Sequence, residues 1–430
     1  GAAIPMPFPQ ELAYAAKDKS FVGNLEQCNG CGGCRKDAPT MCPTFQATGE
    51  ELMTPRGRAN IIRAVLEGRI DTPQGPLLSD ELEAAISNCL ACRACGSECP
   101  SNVNMPLLKA ELLYARYRRH GVPLAARLFS RVDRLGEAGS LFPALANPLL
   151  DFKPLRLLLR RFLGINAKRP LPPYTTDRFD HWFRRRPRFG NQAPRGRVIL
   201  WDDCFVRYHE PHIGRAAVAV LESASIEVIL LQGKSCCGRP AFSMGRLDVA
   251  REFGRKNIAL LKGSTDPILF LEPSCYTMFR EDYRELGLEG AEEIAQRAIL
   301  FESFIDTLLR EDADALSFNG RTASVAIHVH CHAKAAADPA TIGRVAARAS
   351  GAAVTALDSG CCGMAGAFGA LEAKYDLSVQ IAEPLIAMIL ALADTTDLIA
   401  TGTSCRHQIT HLTPKKPLHF AEWLYDRIQS

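Results

Sequence analysis

Nowhere in this chain do apolar residues run on for the roughly 18 positions that a membrane-spanning helix needs. The nearest approach is Pro384–Ala393, stopped by Glu383 and Asp394, and that length predicts a buried core helix. At the N-terminus no basic segment leads into an apolar stretch, so no signal peptide is expected. Gly1 to Pro9 read as an appended stretch or as the end of a longer reading frame. The marks of a disordered chain are missing too: apolar residues make up 47% and charged residues only 23%, a folded composition. At 430 residues the chain is too long for one ordinary core, and two or three domains are expected.

Cysteine is what the chain has in excess, with 16 in all. In a short secreted chain they would predict disulfides. In a long chain without a leader they predict metal or redox chemistry in a reducing compartment, the cytoplasm. Their distribution divides the chain: eight fall in residues 1–120, none in 121–196 and eight in 197–430. Charge divides it the same way. The net charge is +4, yet residues 109–198 alone carry +14, so a basic connector joins two acidic lobes.

The first eight cysteines form two runs, Cys28-x2-Cys31-x2-Cys34 with Cys42-Pro43, and Cys89-x2-Cys92-x2-Cys95 with Cys99-Pro100. Three thiolates at this spacing wrap one corner of a cubane, and Gly30, Gly32, Gly33 and Gly96 let the backbone turn tightly around the sulfurs. In two-cluster ferredoxins the cysteine before proline ligates the other cluster. That logic assigns Cys28, Cys31, Cys34 and Cys99 to one [4Fe-4S] cluster and Cys89, Cys92, Cys95 and Cys42 to a second. Seven residues separate Cys34 from Cys42, where three are usual, which lengthens a loop and leaves the Cys-Pro pair in place. The competing reading is zinc, which prefers two separated Cys-x2-Cys pairs. Short helices should frame these loops. Thr54-Pro55 starts one that Gly68 ends, Asp80 caps a second with Glu83 closing a capping box, and Asn104 with Pro106 opens a third that closes near Gly121.

The last region repeats itself. Val198-Ile-Leu-Trp-Asp-Asp-Cys204 parallels Val325-Ala-Ile-His-Val-His-Cys331, Cys236-Cys237-Gly238 parallels Cys361-Cys362-Gly363, and Ile268–Cys275 parallels Leu398–Cys405, at offsets of 127, 125 and 130 residues. Each repeat reads strand, helix, strand, helix, strand, with helices such as Ala216–Leu221 and Val249–Leu261. This predicts parallel sheets with cysteines at the strand carboxyl ends, where open α/β sheets collect their ligands. One set of four is Cys204, Cys236, Cys237 and Cys275, the other Cys331, Cys361, Cys362 and Cys405. Neighbouring thiolates suit an irregular third or fourth cluster; buried inert thiols, or a redox thiol pair, are the alternatives. The second set has His328, His330, His332, Arg406 and His407 around it, and His330, His332 and Arg406 are candidates to contact a cofactor there or to carry a proton.

These residues resemble a known family. The paired Cys-Cys-Gly (CCG) modules are similar to the cysteine-rich domain of heterodisulfide reductase subunits, and to the iron–sulfur subunits of glycolate oxidase and anaerobic glycerol-3-phosphate dehydrogenase. The similarity is greater to the iron–sulfur half of FAD-linked D-2-hydroxyacid dehydrogenases, those acting on D-lactate or D-2-hydroxyglutarate. The stretches that carry it are Cys34-Arg-Lys, Met41-Cys-Pro-Thr-Phe, Thr54-Pro-Arg-Gly-Arg-Ala-Asn60, Glu98-Cys-Pro-Ser-Asn-Val-Asn104, Cys236-Cys-Gly-Arg-Pro, Glu272-Pro-Ser-Cys, His330-Cys-His and Cys361-Cys-Gly-Met-Ala-Gly-Ala-Phe-Gly. The resemblance implies that a partner flavin oxidises a D-2-hydroxyacid and this chain carries the electrons on, to a quinone or another acceptor. No Gly-rich dinucleotide fingerprint stands between a strand and a helix, so FAD is expected only on a partner chain or missing domain, and no stand-alone dehydrogenase site is expected. Heterodisulfide reductase motifs end Cys-x-x-Cys, whereas these end Cys275-x2-Met278 and Cys405-x2-Gln408, which leaves four cysteines per repeat instead of five. A catalytic subunit reducing a disulfide at a CCG-bound cluster is the alternative function, and an oxidant-sensing scaffold is a third.

The fold expected is α+β and multidomain: a helical two-cluster ferredoxin-like domain over 1–120, a basic helical connector over 121–196, and a duplicated α/β cysteine-rich domain over 197–430, with repeats of about 197–320 and 321–430. In the connector, Arg156, Arg160 and Arg161 sit among leucines, and Arg184–Arg186 and Arg188 sit near Trp182, Phe183 and Phe189. This pattern suits an anionic lipid surface on the inner membrane face, a docking face for the flavoprotein, or a linker that packs its leucines and solvates its arginines; no recognised fold supports nucleic-acid binding.

Overall fold

The computed structural model describes residues 4–16, 19–36, 40–70, 72–73, 75–187, 189–190, 194–321 and 323–428. Arg188 lies outside the described residues, as does part of the lengthened loop between Cys34 and Cys42.

The N-terminal region is helical, with most of its helix ends set by local chemistry. Pro55–Leu66 starts where expected, the Thr54 hydroxyl accepting from Gly57 N at 2.9 Å. Met105–His120 is capped by Asn104 and stopped at Gly121. The helix Asp80–Ser87 corrects the expected cap: Ser79 stands in the extended cap conformation and its hydroxyl accepts from Leu82 N, while Asp80 is already helical. Glu83 therefore closes no box and pairs with Arg116 instead. The segment before the first helix packs on it. Phe8, Leu12 and Tyr14 are buried, and the Phe8 and Tyr14 rings both meet Phe21 edge-on.

The cysteine-rich region builds two parallel sheets. The first contains β1 (Gly196–Trp201), β2 (Ile226–Ile229), β3 (Ile268–Phe270) and β4 (Ala298–Leu300) in the order β2-β1-β3-β4. The second contains β5 (Val325–His328), β6 (Val354–Ala356) and β7 (Asp397–Ala400) in the order β6-β5-β7. All pairings are parallel, as crossover helices require. The strand β4 was not foreseen; its three residues carry too little pattern to stand out from the helices on either side. The expected helices are present and longer, Pro211–Ser223 and Leu247–Leu261. The Pro384–Leu390 part of that apolar run ends the helix Tyr375–Leu390, which buries one face only: Ile381, Leu385 and Ile389 are inside and Leu390 is 56% exposed.

Strand ends place the cysteines. β1 and β5 lead directly into helices that begin at Cys204 and Cys331. β3 and β7 lead into Pro273–Thr277 and Thr403–Leu412, which carry Cys275 and Cys405 in their first turns. The two lobes are joined by the Phe301–Glu311 and Thr341–Ser350 helices, where Arg344 donates to Asp306, and by the C-terminal helix Phe420–Tyr425 packing on Pro211–Ser223.

Candidate metal centres

Cys28, Cys31, Cys34 and Cys99 line one cavity with Gly32, Arg56 and Val103. Gly30 and Gly32 both take positive φ, 78° and 71°, the turn conformation that only glycine adopts freely. The loop is pinned from the helix Pro55–Leu66. Arg63 Nη2 donates to the carbonyls of Leu25 and Cys28 at 2.9 and 3.0 Å, and Arg56 Nη1 donates to Gly30 O at 3.1 Å. Cys31 is exposed, so this cavity lies at the surface.

Cys42, Cys89, Cys92 and Cys95 line a second cavity, and all four are buried. Glu98 holds the Cys42 segment by accepting from Thr40 N and Met41 N at 3.1 and 2.9 Å. Lys109 Nζ donates to Cys89 O at 2.5 Å. Arg58, 1% exposed, donates from Nε to Ala85 O at 2.7 Å and from Nη1 to Cys42 Sγ at 3.4 Å, while its Nη2 has no partner. Its charged neighbours are the thiols Cys42, Cys89 and Cys95. Burial pushes the Cys95 thiol up to about 12 and the Cys92 thiol well above its ordinary value. The guanidinium is thus a buried cation with no carboxylate partner, a costly arrangement until negative charge stands beside it. Four thiolates holding an iron–sulfur cluster here would supply that negative charge. Among the described residues no three His, Cys, Asp or Glu side chains converge on one point as a single metal ion requires. Four thiols spread around one cavity match the ligand number of a four-iron cluster.

The CCG cysteines assemble differently. Cys204, Cys236, Cys237 and Cys275 form a chain of touching thiols, with Cys237 Sγ and Cys275 Sγ 3.0 Å apart. All four are pushed up, Cys204 by its contact with Cys236 and by burial, Cys275 to about 12. Cys331, Cys361, Cys362 and Cys405 touch in the same order but divide. Cys331 is drawn down to about 7 by Cys361 and then by His330, and Cys362 goes down as well, by Cys361, Cys405 and His328, while Cys361 and Cys405 go up. The thiol contacts are the larger influence on this division, and His330 and His328 add to it.

His328 is buried with Nδ1 3.0 Å from Ser359 Oγ; its Nε2 has no partner, and the Cys362 thiol is its closest ionisable influence. His330 caps the Cys331 helix, Nδ1 accepting from His332 N at 3.1 Å, with Glu272 4.0 Å from its Nε2. His332 Nδ1 stands 2.7 Å from Thr277 Oγ1 rather than beside a thiol. Arg406 donates to the carbonyls of Ala400 and Thr401 and to Glu210, so it holds the turn that presents Cys405.

Three connections between the sites were not readable in advance. The helix Ala94–Glu98 packs on Cys331–Ala336, and Cys331 acts directly on Cys92, so the buried cavity adjoins the second thiol set. Arg93 and Arg239 converge on the fully buried carboxylate of Asp282. Glu272 accepts from Thr403 N at 2.9 Å, tying the Cys275 turn to the Cys405 turn. A sequence hint was that Arg93 lies inside a cysteine motif and Arg239 directly follows one.

Comparison with known proteins agrees with this layout. A 4Fe-4S dicluster domain matches residues 24–103, and a cysteine-rich domain matches twice, over 198–280 and 325–410. D-2-hydroxyglutarate dehydrogenase of Pseudomonas putida is 27% identical over 436 residues, covering 91% of this chain and 42% of that protein. One of the polypeptides of the anaerobic glycerol-3-phosphate dehydrogenase of Escherichia coli is 27% identical over 317 residues, 71% of this chain and 77% of that one. A probable glycolate oxidase iron-sulfur subunit of Bacillus subtilis is 25% identical over 409 residues, 89% and 88% of the two chains. The chain spans less than half the length of the D-2-hydroxyglutarate dehydrogenase and most of the length of the separate subunits.

Proposed function

We propose that this chain, a 4Fe-4S dicluster domain followed by a duplicated cysteine-rich domain, is the electron-transfer component of an oxidoreductase. It receives electrons from a flavin-dependent D-2-hydroxyacid dehydrogenase partner and passes them to a quinone or another acceptor. The observation that carries this reading is the gradation of the two cavities. One has the exposed Cys31 and opens at the surface; the other is wholly buried and adjoins Cys331. A four-iron cluster held by such thiols takes up and releases one electron at a time.

The chain's own residues supply position, charge and exclusion of water. Arg56 and Arg63 fix the loop of Cys28 from one helix, and the exposed edge beside Cys31 gives a flavin partner its point of approach. Arg58 places a positive charge against the buried thiols, which favours the reduced, more negative state of what they hold. The CCG sets are proposed as sites for one or two further clusters; loading them requires the thiols to part, since Cys237 and Cys275 are in contact. No helix among the described residues is long and apolar enough to cross a membrane, and we place the protein in the cytoplasm, peripheral on the inner face of the membrane.

The test is iron and acid-labile sulfide per chain after anaerobic purification, with EPR of the reduced protein. About eight irons accord with two four-iron clusters, and about twelve or more add a cluster in the cysteine-rich lobes. Stoichiometric zinc in place of iron overturns the reading.

A further inference from the structure

The connector does not behave as a linker that hides its leucines. Of the thirteen large apolar side chains left exposed in the described residues, ten lie between Leu124 and Phe162. The helices Pro143–Asp151 and Lys153–Leu163 bury no residue at all. Phe142, Leu145, Leu157, Leu158 and Phe162 are 70, 66, 57, 52 and 68% exposed. On Lys153–Leu163 the polarity is inverted: Leu157, Leu158 and Phe162 point outward beside Arg161, while Arg156 turns inward and donates to Arg169 O at 2.6 Å.

This surface is held in place at both ends. Arg131 donates to Glu252, and Gly136 and Gly139 lie so close to the Tyr208 and Tyr174 rings that a Cβ there would stand 2.3 and 2.2 Å from them. At the far end Asn166 N donates to Ala370 O at 2.7 Å, Arg160 pairs with Glu372 at 2.7 Å, and buried Arg169 donates to Gly369 O at 2.8 Å. Gly369 and Ala370 close the segment that begins with Cys361-Cys362. The exposed apolar face is therefore fixed beside the second thiol set.

Charge selects what covers it. From Phe152 to Thr176 the chain has six cations and no acidic residue; Arg156, Arg160 and Arg169 are engaged with the protein, and Lys153, Arg161 and Lys168 remain exposed. Outward apolar side chains flanked by lysine and arginine are what an in-plane interfacial helix presents to a bilayer, the apolar groups entering the headgroup boundary and the cations meeting anionic lipid. We propose that the face formed by Pro143–Asp151 and Lys153–Leu163 seats the protein on an anionic lipid surface. The inference rests on the connector alone and does not depend on the electron-transfer reading.

The experiment is co-sedimentation of the purified full chain with phosphatidylcholine vesicles, with and without phosphatidylglycerol, at low and high salt. Binding is expected only with phosphatidylglycerol, weakening as salt screens it. Replacing Leu157, Leu158 and Phe162 together by Ser should weaken partition about tenfold or more, and Lys153→Glu with Arg161→Glu should do so by a similar factor. Leu390→Ser, at an exposed leucine elsewhere, should leave it unchanged. Phe162→Trp keeps the face intact, and its fluorescence should be quenched by brominated anionic lipid. The proposal fails if the wild type ignores anionic vesicles at low salt, if the triple variant binds undiminished, or if the inserted Trp is not quenched. It fails equally if the face closes a dimer of this chain or a complex with the flavoprotein in place of vesicle binding.

Discussion

Arg58 carries the most information of any single residue. A guanidinium inside a protein normally has a carboxylate, because desolvating it alone costs several kcal/mol. This one has a carbonyl, one thiol and an empty Nη2, which makes sense once its thiol neighbours are thiolates. Arg58→Met should therefore strip iron from the buried site, about four of an expected eight per chain, with Arg58→Lys retaining more. Full loading of the Met variant, with an unchanged reduction potential, would remove the argument. His419 permits a second prediction at this scale. Its Nδ1 accepts from Ala421 N and its Nε2 donates to Leu271 O, each at 3.0 Å, so both nitrogens are committed to the neutral ring. Burial, then Arg406, holds it down at about 3, against 6.5 for a free histidine. The unfolded chain takes up this proton first. The stability contribution is complete above pH 6.5 and drains as pH falls toward 3, by up to about 1.4 kcal/mol per unit. Between pH 7 and 5 the wild type should lose about 2 kcal/mol that His419→Asn does not lose. Parallel urea midpoints for the two proteins at both pH values decide it.

At the scale of elements, the helix Pro55–Leu66 is the strut of the dicluster domain, since it carries Arg56, Arg58 and Arg63. Thr54→Ala removes its cap and should cost about 1 kcal/mol. Gly57→Ala should cost more, about 2–3 kcal/mol. A Cβ there would stand 2.1 Å from Glu51 O, forcing the strut off the turn beneath it. Thermal melts rank the pair, and a Gly57→Ala protein as stable as wild type would contradict the packing described. This helix was legible because its start depends on chemistry within four residues. So were the strands of both repeats, where short apolar runs end in cysteine. Asp80 misled because both Ser79 and Asp80 can cap, and the choice is made by backbone conformation. The connector stayed open for a different reason. Its leucines have the right spacing for a buried stripe, and spacing does not say which way a stripe faces.

At the scale of the whole molecule, spacing and repeat offsets sort the cysteines into four sets. What lies between the sets was not foretold. Arg93 and Asp282 are 189 positions apart, and no local pattern joins them. Yet that contact fixes how the parts sit. Arg93 lies between Cys92 and Cys95, and Arg239 follows Cys236-Cys237-Gly238 directly. Asp282, with no exposed surface, accepts from Arg93 Nη1 at 3.0 Å through both oxygens and from Arg239 as well. One carboxylate thus clamps a loop of the dicluster domain to a loop of the first repeat. Asp282→Asn keeps the shape and removes the charge, leaving buried Arg239 facing a neutral amide while Arg93 keeps only Glu281. The expected cost is about 3–5 kcal/mol. Because the lost contact joins two lobes, calorimetry should show one transition separating into two, with the dicluster region melting earlier. Proteolysis should cut first in the connector, which spans them. If instead the variant melts once, at the wild-type midpoint, Asp282 does not hold the lobes together, and other contacts do, among them Ala94–Glu98 on Cys331–Ala336 and Arg251 on Glu11.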